Sequence, residues 1–179
     1  YSGGTTLNGG TVSFGSNSDA NLGATSGGLT FNGGQISYSD GLVLNRAVAI
    51  NANAALTNAI TVNGVLSGSS SLSQSGSDVA TFANTGNTFT GTVNSGYAMT
   101  FASLGDSANP YNFGNGSASF TWTGGAKTFA LRPFNFSTTG NGQIRNNGSG
   151  ALVIQQNLGI TGTAGARTLF LGGTNTTST

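Results

Sequence analysis

Four aspartates are the only acidic residues in this chain of 179 residues, and they are the first candidates for chemistry. They are Asp19, Asp40, Asp78 and Asp106. A glycoside hydrolase needs two carboxyl groups at a controlled separation, one to donate a proton and one to act as base or nucleophile. Each aspartate here stands alone beside Ser or Gly, a setting typical of a side chain that caps a turn. We therefore expect no catalytic pair.

The chain contains neither His nor Cys. Ser–His and Cys–His nucleophile systems therefore cannot be assembled, and the usual ligand sets for zinc are missing. The Gly-Gly-x-Gly-x-Asp series of the calcium-binding nonapeptide repeat does not occur. We predict a protein that is not an enzyme and has no cofactor. A single Ca²⁺ held by one Asp and backbone carbonyls stays open, but the sequence does not locate it.

Two aromatic residues, Phe120 and Trp122, alternate within the stretch SASFTWT. Exposed aromatic side chains with this spacing offer a platform for sugar rings, so both are candidate glycan contacts. The alternative, which we favour, is that both fill the interior beneath a strand, where large aromatic side chains usually lie. The same two interpretations apply to three further residues, Phe129, Phe134 and Phe136.

The composition excludes several classes of partner. The net charge is +1 and the five basic residues are scattered, which predicts neither a nucleic-acid site nor binding to an anionic membrane. No apolar run is long enough to cross a bilayer. The chain is 36% hydrophobic and 5% charged, whereas disordered chains are poorer in apolar residues and richer in charge. We expect a folded domain with an uncharged polar surface.

Short β-strands are the elements that must position these residues. Glu is missing and Gly interrupts almost every window, both of which disfavour long helices. Short alternating segments are closed instead by Asn-Gly, Gly-Gly or Ser-Gly turns. Six of these segments are residues 5–7, 11–14, 29–31, 35–38, 47–50 and 60–62. An all-β fold follows.

One phrase occurs twice, as GGTTLNGGTVSF in residues 3–14 and as GGLTFNGGQISY in residues 27–38. Apolar character is kept at three matched pairs 24 positions apart: Leu7 and Phe31, Val12 and Ile36, and Phe14 and Tyr38. A period in the low twenties is typical of one lap of a parallel β-helix, in which successive laps stack. We predict about seven to nine laps, with a β-sandwich as the alternative.

The first 96 residues resemble the autotransporter-associated β-strand repeat, whose core reads Tyr-x-Gly-Gly-Thr-Thr-x-x-Gly-Gly-Thr. The stretch that begins LNRAVAIN, with Asn45 and Arg46, resembles the linker that follows this core. ATFANTGNTFTGTVNSG resembles a second, shorter core, and RTLFLGGTNT near the end resembles the lead-in to another. We interpret residues 1–179 as one solenoid unit, a segment of a larger repetitive protein.

The resemblance implies a right-handed β-helical stalk that is secreted or displayed by a bacterium with an outer membrane. Residues 106–145 depart from the pattern, because they are rich in aromatic residues and contain Pro110 and Pro133. We expect a less regular insertion or wider laps there. In a solenoid both ends present unpaired strand edges, which need caps or neighbours.

The expected function is therefore that of a structural, non-enzymatic unit of a bacterial extracellular or cell-surface fibre. Its expected partner is itself, through end-to-end stacking, or flanking repeats of the same protein. The alternative is an adhesin or glycan-binding module that uses Trp122 and the aromatic segment. A polysaccharide-acting β-helix enzyme is a third, less favoured hypothesis.

Overall fold

The computed structural model describes residues 1–16, 18–38, 41–114, 117–136, 141–162 and 165–175. Within these ranges the chain forms short strands and one 3-10 helix, Asp19–Leu22. The strands are β1 (Thr5–Leu7), β2 (Thr11–Phe14), β3 (Leu29–Phe31), β4 (Gln35–Tyr38), β5 (Leu42–Leu44), β6 (Val48–Ile50), β7 (Ala54–Leu56), β8 (Ile60–Val62), β9 (Leu66–Gly68), β10 (Leu72–Gln74), β11 (Ala80–Phe82), β12 (Val93–Ser95), β13 (Ala98–Phe101), β14 (Tyr111–Phe113), β15 (Ala118–Trp122), β16 (Lys127–Phe129), β17 (Phe134–Phe136), β18 (Gly142–Asn146), β19 (Leu152–Ile154), β20 (Leu158–Ile160) and β21 (Leu169–Gly172). The all-β prediction is confirmed.

Parallel sheets run along the length of the molecule. Sheet A has the order β1-β3-β6-β9, sheet B the order β2-β4-β7-β10-β12-β14-β17-β20, sheet C the order β5-β8-β11-β13-β15-β18-β21, and sheet D pairs β16 with β19. Each strand pairs with the equivalent strands of the laps before and after it, rather than with a hairpin neighbour. The fold is therefore a parallel β-solenoid of about seven turns, and the β-sandwich alternative is wrong.

The register predicted from the repeated phrase is confirmed. Leu7 pairs with Phe31 and Val12 pairs with Ile36, each on adjacent parallel strands. Adjacent strands in a sheet lie about 4.8 Å apart, so residues of matched type stack directly. Because the inward residues of each lap lie over those of the lap before, the core is continuous along the stack.

Sheets A and D belong to one side of the solenoid, here called face 1. Beyond β9, backbone hydrogen bonds continue this side: Thr90 N donates to Gly68 O at 2.9 Å, and Gly105 N donates to Phe89 O at 2.9 Å. The following lap supplies β16, which pairs with β19. Face 1 therefore runs from the first lap to the last, with an irregular backbone in its middle.

Lap length varies although the register is kept. Thr5 pairs with Leu29, 24 residues later, whereas the lap from Val48 to Leu66 has 18 residues. The last lap is longer still. Thr168 N bonds to the side chain of Asn141 across 27 residues. The corners absorb these differences, because the strands themselves stay three to five residues long in the described ranges.

Residues 106–145 form part of the stack wherever they are described. Tyr111 pairs with Phe134, and Ala118 pairs with Gly142, in laps of 23 and 24 residues. Aromatic side chains fill the core at these laps. Phe101 lies 5.9 Å from Phe120 between ring centroids, so the aromatic-rich segment extends the same core with larger side chains.

One asparagine ladder runs along a corner of the stack, and a second runs along the outer surface of sheet B. In each step, the amide nitrogen of one lap donates to the amide oxygen of the lap before it. The ladders consist of Asn8, Asn32 and Asn51, with bonds of 3.0 and 3.2 Å, and of Asn94, Asn112 and Asn135, with bonds of 2.8 and 3.4 Å. These hydrogen bonds align consecutive laps at the surface, as the stacked apolar side chains align them in the core.

Candidate functional site

The Arg46 side chain is buried although it carries a charge. Its Nε donates to Asp19 Oδ1 at 2.5 Å, and the other carboxylate oxygen, Oδ2, accepts from the backbone N–H of Asn45 at 2.9 Å. Asp19 opens the 3-10 helix, which stands in the first lap where later laps place a strand of sheet C. The ion pair therefore joins the first lap to the corner between β5 and β6.

Both terminal nitrogens of Arg46 donate to backbone carbonyls. Nη1 donates to Leu22 O at 2.8 Å and to Gly27 O at 3.1 Å. Nη2 donates to Asp19 O at 2.7 Å and to Gly23 O at 2.8 Å. A guanidinium has five N–H donors, and all five are used here. Arg46 thus holds the 3-10 helix and the chain that follows it against the second lap.

Arg132 repeats this arrangement in the later laps with different acceptors. Its Nε and Nη2 both donate to Gly105 O, at 3.1 and 2.9 Å, and Nη2 also donates to Ser107 Oγ at 3.2 Å. Nη1 donates to Gly91 O at 2.9 Å and to Asn109 O at 2.8 Å. Burial lowers the pKa of Arg132 to about 10. All five donors again reach protein acceptors, across three successive laps.

The Asp106 carboxylate binds backbone N–H groups at the corner after β16. It accepts from Ala130 at 2.9 Å, from Leu131 at 3.1 Å and from Arg132 at 2.9 Å. Burial by itself would raise the pKa of Asp106, but the three N–H groups and the charge of Lys127 outweigh burial and hold the pKa below its ordinary value. Such a carboxylate stays ionised and orders the turn.

The described aspartates occupy structural positions rather than a shared site. Asp19 and Asp106 lie in the first lap and in a late lap, and each is bound as described above. The backbone carbonyl of Asp78 accepts from the Gln74 side chain at 2.7 Å. Asp40 lies outside the described residues. Among the residues described, no three acidic side chains come together as a metal site.

Phe120 and Trp122 lie in the core, as the interior interpretation predicted. Phe120 is fully buried and Trp122 is 3% exposed. The indole N–H of Trp122 donates to Gly125 O at 2.7 Å, and its ring meets Phe129 edge to face at 5.9 Å. Buried rings offer no face to a sugar, so these two residues are not retained as glycan contacts. Phe129, Phe134 and Phe136 are buried as well.

The C-terminal end of the stack exposes the core of its last lap. Leu158, Ile160 and Leu171 are 43%, 63% and 74% exposed. One lap earlier, their paired residues are buried; these are Phe134, Phe136 and Ile144, respectively. Each exposed residue thus continues an interior column and is uncovered because no described lap lies over it. We call this surface, with β19, β20 and β21, the open end.

Sequence reasoning anticipated unpaired edges at both ends but did not locate this surface. The open end forms a groove lined by apolar side chains of β18, β19, β20 and β21, including Ile154 and Leu169, and by four amide side chains, those of Asn146, Gln156, Asn157 and Asn175. The buried arginines were not anticipated either. The signal that could have found them is an Asp followed by an Arg about one lap later: Arg46 follows Asp19 by 27 residues, and Arg132 follows Asp106 by 26.

Comparison of the chain with protein-family models, with curated proteins and with solved structures finds no match. Among the residues that the structure describes, no helix is long and apolar enough to cross a bilayer. The geometry of the stack is therefore the basis on which a function can be proposed.

Proposed function

We propose that this chain is a structural, non-enzymatic unit of a bacterial extracellular or cell-surface fibre, in which units stack end to end. The observation that carries the proposal is the open end, where Leu158, Ile160 and Leu171 continue buried columns into solvent. Within the described residues, the last strands there also have no neighbouring strand on their outer side, and the N–H and C=O groups of such an edge are a template for pairing with another strand. A further lap stacked on the open end would cover these apolar side chains and pair the backbone N–H and C=O groups.

Stacking through two different ends gives an open filament. A head-to-tail contact closes into a ring only when its rotation allows it, and otherwise continues as a fibre. Most contacts in a solenoid are made between neighbouring laps, so adding a unit repeats the contacts already present between laps. Such assembly needs no new type of interface.

The fixed charges of the chain support a structural role. Arg46 and Arg132 donate to carbonyl, carboxylate and hydroxyl oxygens at corners, and Asp106 binds three backbone N–H groups. These groups order the places where lap length changes. The side chains of Asp19 and Asp106 are therefore committed to holding the backbone.

The extracellular or cell-surface setting rests on the resemblance of residues 1–96 to the autotransporter-associated β-strand repeat. A chain that is only 5% charged and rich in Ser, Thr, Asn and Gly agrees with that setting. We propose the same partner that the sequence suggested, namely other copies of this chain or flanking repeats of the same protein.

Electron microscopy of the purified protein over a series of concentrations tests the proposal. We expect filaments with the width of a single solenoid. Ile160→Lys places a charge in the open end and should abolish the filaments. The matched control is Leu131→Lys, because Leu131 is 59% exposed, close to the 63% of Ile160, but lies at a side corner.

Both variants should keep the wild-type midpoint of unfolding, since each replaces an exposed side chain. Single particles of one chain at every concentration, or equal loss of filaments in both variants, would contradict the proposal.

A further inference from the structure

We infer that the end-to-end contact is polar: the open end of one copy receives the first lap of the next copy, which pairs through face 1 and sheet B but not through sheet C. This inference rests on the proposed function and specifies its contact surface. It follows from differences between the two ends of the stack.

The first lap offers two strand edges and one closed side. β1 and β2 are the outermost strands of sheets A and B, whereas sheet C begins one lap later with β5. The 3-10 helix Asp19–Leu22 contacts β5 and occupies the place of the missing strand. A 3-10 helix offers no strand edge for pairing. Arg46 fixes the helix through Asp19 and through carbonyls at and after its end.

The core is covered at this end. Leu7 and Leu22 are buried in the first lap, in contrast to the exposed Ile160 and Leu171 of the last lap. Tyr1 adds to the cover, since its hydroxyl hydrogen-bonds to Thr5 Oγ1 at 2.7 Å and its carbonyl accepts from Ala24 N at 3.0 Å. The first and the last described laps therefore present different outer surfaces, one largely closed and one open.

The interior columns specify the register of the contact. In sheet B, one column begins with Val12 and Ile36 and ends with Phe136 and Ile160. Continuing this column by one step places Val12 of the next copy over Ile160. Val12 is only partly buried in the first lap, so the step covers apolar surface on both copies.

Polar groups on face 1 match in the same register. Asn8 follows the last residue of β1, as Gln155 follows the last residue of β19. Asn8 Oδ1 accepts from Asn32 at 3.0 Å, while Asn8 Nδ2 donates to no side chain or carbonyl in the described part of the chain. In the proposed contact that amide nitrogen donates to the Gln155 side chain of the preceding copy. The asparagine ladder then continues across the junction.

Disulfide cross-linking tests this polarity, because the chain contains no cysteine. Thr6 and Val153 are the exposed middle residues of β1 and β19. In the proposed register they are neighbours on adjacent parallel strands, about 4.8 Å apart, within the span of about 4.4–6.8 Å between Cα atoms that a disulfide needs. Thr6→Cys and Val153→Cys are made separately, with tags of different mass, and mixed under mild oxidation.

We expect the mixed Thr6→Cys to Val153→Cys disulfide to predominate, at least tenfold over either homodimer. Val43→Cys is the matched control, because Val43 lies in the middle of β5, the outermost strand of sheet C at the first-lap end, and is 42% exposed, as Val153 is; it should cross-link to neither variant. Predominance of Val153→Cys homodimers would show tail-to-tail contact and overturn the inference. Cross-linking no greater than that of the control would overturn it too.

Electron microscopy of the same samples separates this inference from the proposed function. Filaments without the mixed disulfide overturn the polarity and leave the structural function standing. If neither filaments nor mixed disulfides form, both are overturned. Filaments that carry the mixed disulfide support both.

Discussion

Arg46 in the first laps and Arg132 in the later laps each hold a corner of the stack together, but they bind different partners. Both are buried and both use all five N–H donors. Arg46 forms a direct ion pair with the Asp19 carboxylate. Arg132 donates to carbonyl oxygens and one hydroxyl, while the nearby Asp106 carboxylate binds backbone N–H groups instead.

The difference shows two ways of holding a corner in a chain with few charges. In the first, opposite charges on consecutive laps meet directly, and each depends on the other. In the second, the cation and the anion each form their hydrogen bonds with neutral groups, and their charges interact only through space. Removing one member should therefore have unequal effects at the two corners.

Replacing each arginine by methionine should give the largest effects. Arg46→Met leaves the Asp19 carboxylate without its cation, and loss of one partner of a buried pair costs about 3–5 kcal/mol. Arg132→Met leaves neutral carbonyls unsatisfied, for which about 1–3 kcal/mol is expected. Urea denaturation measures both free energies of unfolding.

Arg145→Met is the control for this pair, because Arg145 is exposed and donates to Gln143, and it should change stability by less than about 0.5 kcal/mol. If Arg132→Met were at least as destabilising as Arg46→Met, the distinction between the two corners would be wrong.

A double-mutant cycle sharpens the same comparison. The coupling energy between Asp19→Asn and Arg46→Met should be about 2–3 kcal/mol, because the two side chains bond directly. The coupling between Asp106→Asn and Arg132→Met should be below about 1 kcal/mol, because their side chains do not share a hydrogen bond in the described network. Equal couplings in the two cycles would show that Asp106 acts on Arg132 as strongly as an ion-pair partner.

The sequence predicted the stacked laps because side-chain type is repeated where the strands are regular. Leu7 and Phe31, and Val12 and Ile36, were matched by spacing alone and are paired in the structure. Glycine-rich turns and the absence of Glu predicted the all-β class correctly. The interior placement of Phe120 and Trp122 was the favoured interpretation and is confirmed by their burial.

The later register could not be predicted in the same way, because lap length changes at the corners. Laps of 18 and 27 residues occur in one stack, and the turn sequences carry no fixed period. The roles of Arg46 and Arg132 depend on carbonyls brought together by those corners, so no local motif reveals them. The open end depends on which columns lack a covering lap, which only the assembled stack shows.

Acid should weaken the corner held by Asp106. Its pKa lies below the ordinary value of about 3.9, so the unfolded chain takes up a proton at higher pH than the folded chain does. The contribution is present above about pH 4 and is lost as the pH falls through the folded-state pKa. The difference in urea midpoint between wild type and Asp106→Asn should be larger at pH 7 than at pH 3. A difference that does not change with pH would contradict this prediction.

The smallest effects are expected in the asparagine ladders. Asn112→Ala removes bonds to Asn94 and Asn135 in a half-buried setting, and about 1 kcal/mol is expected. Asn32→Ala removes the bonds to Asn8 and Asn51 at an exposed corner, and about 0.5 kcal/mol is expected. Thermal unfolding of both variants measures the order. A larger loss in Asn32→Ala would mean that the early ladder, and not the later one, carries more of the register.

X-ray fibre diffraction from aligned filaments tests the central claim most directly, since it reports how strands lie relative to the direction of assembly. If stacked laps continue from one copy to the next, a reflection at about 4.8 Å lies along the filament axis. A reflection at that spacing perpendicular to the axis would mean that copies associate side by side, and it would contradict end-to-end stacking.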